Sequence, residues 1–368
     1  MASVALPENW LKSARFDVAA FYAPAALSCL AFASCVLFKA PPLAWLWAWI
    51  LAFDGPHMLA AYTRVYGDSV LWRTRRRLLL GSLASFFVGP AVLAVSVLGN
   101  VSWLFTAFLA GMSVYAFHHV VRQHWGFVSL YGGRARQRSG KAERYWLYAA
   151  CWSPYIAFVL THPSLRREVQ AGPFWERVGA MAALGSMVVW LIASARYGLT
   201  LWRAWRQARP LQQPVYLLLV ALFHALLFLV VARFEPIYPG ARGADQEFML
   251  LSLMNGMFHS AQYCALVALY HQRSVDLPQV QPTWFARQPL RVALVLVPFV
   301  ALYGTVACAT GVYPGCQLWL GRTLTLGIDV NAFALALWWG FALHHYWLDE
   351  RIWHVRTDAR LKTVFALG

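Results

Sequence analysis

The chain has 368 residues, of which 60% are hydrophobic and only 12% charged, with 19 Trp. Soluble chains carry about 25% charged residues, so this composition excludes a water-soluble enzyme and a disordered chain. The net charge of +16 does not point to nucleic acid, because the Lys and Arg residues sit in short connections between apolar runs, as in the cytoplasmic loops of membrane proteins.

A membrane-spanning helix takes about 20 mainly apolar residues. In chain order the apolar runs predict ten of them, at 17–38, 42–63, 78–98, 102–124, 145–162, 177–197, 213–233, 247–270, 292–310 and 324–347. The first run is too long for a removable signal and lacks a small-residue cleavage site, so it is expected to stay as a helix. The connections after even-numbered runs are the basic ones: "RVYGDSVLWRTRRR" after the second, "GGRARQRSGKAER" after the fourth, "RYGLTLWRAWRQAR" after the sixth. "HQRSVDLPQVQPTWFARQPLR" follows the eighth, and the tail after the tenth carries Arg351, Arg356, Arg360 and Lys362. The segment "HPSLRREVQAGPFWER" after the fifth run is an exception on the other side. By the positive-inside rule this predicts an all-α polytopic integral membrane helix bundle of about ten helices with both termini cytoplasmic. It reads as one transmembrane domain over 1–368, multi-pass in the inner (cytoplasmic) membrane for a bacterial source.

The six Cys form no CxxC pair, which argues against a zinc ribbon or thiol-redox motif. Cys308 and Cys316 flank a turn and are candidates for a disulfide if that turn faces an oxidising compartment.

Seven of the eleven His lie on even-numbered helices. Helix two carries Asp54 and His57; helix four ends in "FHHVVRQHWGF" with His118, His119 and His124. Helix eight carries Asn255, His259 and Gln262, and helix ten ends in "HHYWLDERIW" with His344, His345 and Asp349. At a rise of about 1.5 Å per residue, His57, His118, His259 and His344 lie roughly 12 to 20 residues from their helix starts, at one level in the cytoplasmic half of the bilayer. Ionisable residues inside a membrane are costly and usually mark function. Imidazole with carboxylate suits iron, zinc, copper or manganese. His57, His118, His119, His124, His259, His344, His345 and Asp349 are therefore the candidate metal ligands. Asp54, Asp349 and Arg122 are candidate catalytic groups, and Asn255 and Gln262 are candidates to orient the ligands.

Spacing refines this. Asp54 and His57 are three apart and His345 and Asp349 four apart, so each pair shares a helix face. Pro56 is expected to loosen the helix just before His57. His124 lies five residues from His119, about 140° around a helix, and cannot share an ion with it unless the helix bends. His224, alone in helix seven, reads as a hydrogen-bonded packing residue; Glu350 and His354 read as surface groups.

Histidine clusters of this type, at the cytoplasmic ends of membrane helices, resemble the site of the histidine-box enzymes, the integral membrane desaturases, hydroxylases and alkane monooxygenases. The boxes HxxxH and HxxHH of those families do not occur here. "DGPHMLAAYTRVY", "HHVVRQHWGF" and "HHYWLDERIW" also look like motifs of a group of bacterial membrane proteins loosely labelled carotene oxygenases. A further comparison is with bacterial carotenoid-cleaving membrane dioxygenases. The resemblance implies one or two iron ions, molecular oxygen, a hydrophobic or lipid-like substrate in the bilayer and an electron-donor protein, with no nucleic acid. The competing expectations are a haem-binding electron carrier or haem-modifying protein and a proton or metal transporter.

Overall fold

The structure is a computed structural model and describes residues 9–137, 139–162, 172–233, 249–277, 289–311, 321–324, 327–354 and 358–367. Among these residues the chain is all-helical, with a single isolated antiparallel bridge between Thr323 and Asp329 and no strand. Cys308 is buried and disulfide-bonded; Cys316, its expected partner, lies outside the described residues.

Among the described residues, six helices are long and apolar enough to cross a membrane: Ala14–Leu37, Ser69–Leu98, Ser102–Arg134, Pro173–Arg206, Gln212–Val230 and Leu290–Ala309. They correspond to six of the ten expected runs. The other four expected runs also contain helices among the described residues. Run 42–63 is built from Pro42–Trp49, Ile50–Asp54 and Gly55–Tyr66. The remaining three are Lys141–Thr161, Met249–Asp276 and Val330–Ile352. They fall short on composition or continuity, for a physical reason. Three of them carry the His, Asp, Asn and Gln that mark the candidate site, and each polar side chain lowers the apolarity of its helix.

The chain divides into two compact units. One comprises Met1–Pro42, Val121–His259 and Phe365–Gly368, and the other Leu43–Val120 and Ser260–Val364. In the first unit, Lys141–Thr161 packs along Pro173–Arg206 and Gln212–Ala225. Its polar interior is built around Asp17, fully buried, which accepts the Leu11 N–H at 2.6 Å, the Lys12 N–H at 3.0 Å and the Tyr131 hydroxyl at 3.1 Å. The Pro173–Arg206 helix turns Met181, Leu184, Val188, Leu191 and Ile192 outward. An apolar surface of that extent is stable against lipid and unstable in water.

The second unit is organised by the Val330–Ile352 helix, which packs on Ser85–Leu98, Pro289–Ala309 and Gly55–Tyr66. Two glycines permit the closest of these approaches. A Cβ at Gly89 would collide with the Ala336 carbonyl oxygen, and one at Gly340 would sit 3.0 Å from Phe86 Cα. Small residues at such crossings let membrane helices approach backbone to backbone. Toward the end of the same helix, Leu348 and Ile352 close a core with Val65, Leu71 and Leu79. The helix is thereby anchored above and below the turn that carries His345.

The break expected at Pro56 is present in a specific form. Residues Ile50–Asp54 make a π-helical turn, and Pro56 occupies the first turn of the α-helix that follows, Gly55–Tyr66. Proline has no N–H to give to the preceding turn and its ring crowds that turn's carbonyl. A widened turn accommodates both and is often found at functional sites.

Candidate metal centre

His57 lies in the first turn and a half after this π turn and is 1% exposed. His119 and His345 reach it from the Ser102–Arg134 and Val330–Ile352 helices, each buried. The Nε2 atoms of His57 and His345 are 2.7 Å apart. The His345 ring stands 4.4 Å from that of His57 and 4.8 Å from that of His119, nearly perpendicular to both. Asp349, one helical turn beyond His345, turns Oδ2 toward His345 Nε2 at 3.5 Å and His119 Nε2 at 3.8 Å. His259 completes the group. It lies on the uninterrupted Met249–Asp276 helix, one residue before Ser260, where that helix becomes part of the second unit. One ring nitrogen from each of His57, His119, His259 and His345 lies within 4.8 Å of the others, and all four residues are buried.

Tyr263 was not among the residues singled out from the sequence. It stands four residues after His259, on the same helix face, and that spacing was the available signal. Its hydroxyl donates to Asp349 Oδ1 at 2.6 Å, and its ring lies 4.7 Å from His57 and 5.2 Å from His345. Asp349 is thus fixed by Tyr263 through one oxygen while the other faces two imidazoles.

The remaining expected site residues take other positions. Asp54 accepts the Tyr303 hydroxyl at 2.5 Å and is outside the four-nitrogen group, although it shares a helix with His57. His344 Nε2 bonds Tyr66 Oη at 2.9 Å and Ser82 Oγ at 3.0 Å, with Tyr62 and Phe86 against its ring. The vicinal pair thus divides, as a rotation of about 100° per residue requires: His345 joins the group and His344 faces the 62–86 side. His118 is half-buried beside His119 and outside the group.

His124, separated from His119 as its spacing predicted, lies in the first unit. Its Nδ1 is 2.8 Å from Tyr216 Oη and its ring is 5.3 Å from that of His224. His224 bonds the Val220 carbonyl through Nδ1 at 2.9 Å, the packing role expected of it. Arg122 and Asn255 are half-buried and Gln262 fully buried, all outside the group. His354 is exposed, as expected, whereas Glu350 is half-buried and accepts the Tyr115 hydroxyl at 3.2 Å.

Chemically the arrangement suits a cation. Four imidazoles with one carboxylate beside them make a donor set for iron, zinc, copper or manganese. A buried cluster of this kind has no apolar packing advantage over four leucines, since polar groups are costly to bury. Compared with known proteins, the chain matches no family model, no curated protein and no solved structure.

Proposed function

We propose that the chain is a metal-dependent membrane oxidoreductase that uses molecular oxygen on a hydrophobic or lipid-like substrate. The observation that carries this reading is the convergence of four buried imidazole nitrogens within 4.8 Å of one another, supplied by four different helices. His57, His119, His259 and His345 would hold one or two ions, iron first among them. Asp349 would serve as a further oxygen ligand or as the group that keeps a neighbouring imidazole in its ligating orientation. An iron held by these residues would supply the activation of oxygen. The chain's own residues position that ion and keep water from it: Tyr263 fixes Asp349, and the surrounding aromatic rings close the cluster.

In the same reading all ten helical runs cross the bilayer, both termini are cytoplasmic, and the protein resides in the inner membrane of a bacterium. An electron-donor protein supplies reducing equivalents, since the sequence carries no flavin, nucleotide or haem-attachment motif. The haem alternative is less well served by this geometry. Axial ligation needs two imidazoles on opposite faces of a flat macrocycle, and four nitrogens this close leave no room for its ring.

The test is oxygen uptake by purified, iron-loaded protein in bilayers, supplied with a chemical reductant and a panel of long-chain hydrocarbons, fatty acids and polyenes. Substrate-dependent uptake that disappears in His119→Ala supports the reading. Equal uptake by wild type and His119→Ala contradicts it.

A further inference from the structure

Beyond the ion-binding group, the second unit contains a line of aromatic side chains leading away from it. Tyr263 sits against His57 and His345, as described above. The Trp353 indole N–H donates to Tyr263 Oη at 3.2 Å, and the two ring centroids are 6.1 Å apart. Trp353 is half-buried and is followed by the exposed His354, so it brings the line to the protein surface. Tyr270, fully buried, flanks Trp353 at 6.2 Å.

We infer that Tyr263 and Trp353 form an electron relay between the histidine cluster and the surface. The inference rests on the metal-centre reading above and adds the route by which electrons reach that centre. Tyr263 is suited to the inner position because its phenol is hydrogen-bonded to a carboxylate. When one electron leaves the Tyr263 ring for the oxidised ion, the ion is reduced by one. The O–H bond breaks and its proton passes to Asp349 Oδ1 along the 2.6 Å hydrogen bond, leaving a neutral phenoxyl. An electron from Trp353 then restores Tyr263, which takes the proton back from Asp349. A one-electron reductant in the water refills Trp353.

The charges around the outer position set the direction. The Arg64 guanidinium lies 3.9 Å over Tyr270 and 5.5 Å from Trp353. Arg64 and Arg360 both pair with Asp68, and Asp358 also acts on Arg360, which leaves the Arg64 guanidinium as the cation set against the Trp353 ring. A cation on the indole is disfavoured there by like-charge repulsion. The oxidising equivalent therefore rests on Tyr263, which becomes neutral by losing its proton, and not on Trp353.

The experiment uses the full chain loaded with ferrous iron, its iron content measured, then oxidised with hydrogen peroxide, frozen and examined by electron paramagnetic resonance. Wild type is expected to give an organic radical of tyrosyl type. Tyr263→Phe is expected to keep its iron and lose that signal at least tenfold. Trp353→Phe is expected to keep the signal and slow its decay in ascorbate about tenfold. The same radical yield in Tyr263→Phe at equal iron content overturns the relay, as does a decay unchanged in Trp353→Phe. Iron that binds and oxidises without any organic radical also overturns the relay while leaving the metal centre standing. A chain that takes up no iron overturns both.

Discussion

His57 and His345 are 288 residues apart in sequence, yet their Nε2 atoms approach to 2.7 Å in the buried interior of one unit. At that separation one ring donates and the other accepts. Two lone pairs meet where one proton or one cation fits between them. The backbone around each histidine is specialised to bring this about: a π turn and Pro56 ahead of His57, and Gly340 one turn and a half ahead of His345.

The first prediction separates two adjacent histidines. His345→Ala removes a ligand and is expected to lower metal content several-fold. His344→Gln is expected to retain the metal and to destabilise the fold by about 1–3 kcal/mol, since it disturbs buried partners at Tyr66 and Ser82. Elemental analysis with thermal melting in detergent reads both. Equal metal loss in the two variants would contradict the division of the pair.

The helix crossing gives the second. Gly89→Ala places a methyl on the Ala336 carbonyl oxygen, and the helices must part to admit it. Overpacking of this kind costs about 1–3 kcal/mol. Because Ala336 and His345 share one helix, metal affinity is expected to fall together with the melting temperature, whereas Gly81→Ala, with open space around it, should change neither.

The third concerns acid stability. Asp68 lies outside the expected spans, 2.9 Å from Arg64 and 3.1 Å from Arg360, and caps the Ser69–Ser82 helix through the Val70 and Leu71 N–H groups. Burial opposes its charge, but Arg64, Arg360 and the Leu71 N–H outweigh burial and hold the carboxyl below its ordinary 3.8. A carboxyl whose pKa is lower folded than unfolded stabilises the fold above the unfolded value, and that contribution is lost as pH falls through the folded one. Melting curves of wild type are therefore expected to lose stability below about pH 4. Asp68→Asn should melt about 3–5 kcal/mol earlier at neutral pH, as breaking a buried pair does, and show a flatter acid limb. Parallel acid limbs would contradict the assignment.

Much of this architecture is legible in the sequence. Apolar runs locate the helices because the bilayer demands about 20 such residues. Shared depth points to the His57, His118-His119, His259 and His344-His345 positions on four helices, because polarity at that level is costly, without choosing within each vicinal pair. The break before His57 follows from proline chemistry alone. What spacing along one helix cannot supply is the rotation of that helix against its neighbours. For that reason no spacing separates His118 from His119 or shows Asp54 facing Tyr303, although the spacing to Asp349 favours His345 over His344. Tyr263 was overlooked for a different reason. In a chain with 16 Tyr, an aromatic residue on an apolar helix carries little contrast beyond its four-residue spacing from His259, and its hydrogen bond to Asp349 is what distinguishes it.

The central claim is tested most directly by elemental analysis of the purified chain beside His57→Ala and His345→Ala. One or two iron ions per chain in wild type, with stoichiometric loss in both variants and none in His354→Ala, is the expected result. Wild type without bound metal, or full retention in both His57→Ala and His345→Ala, would contradict it.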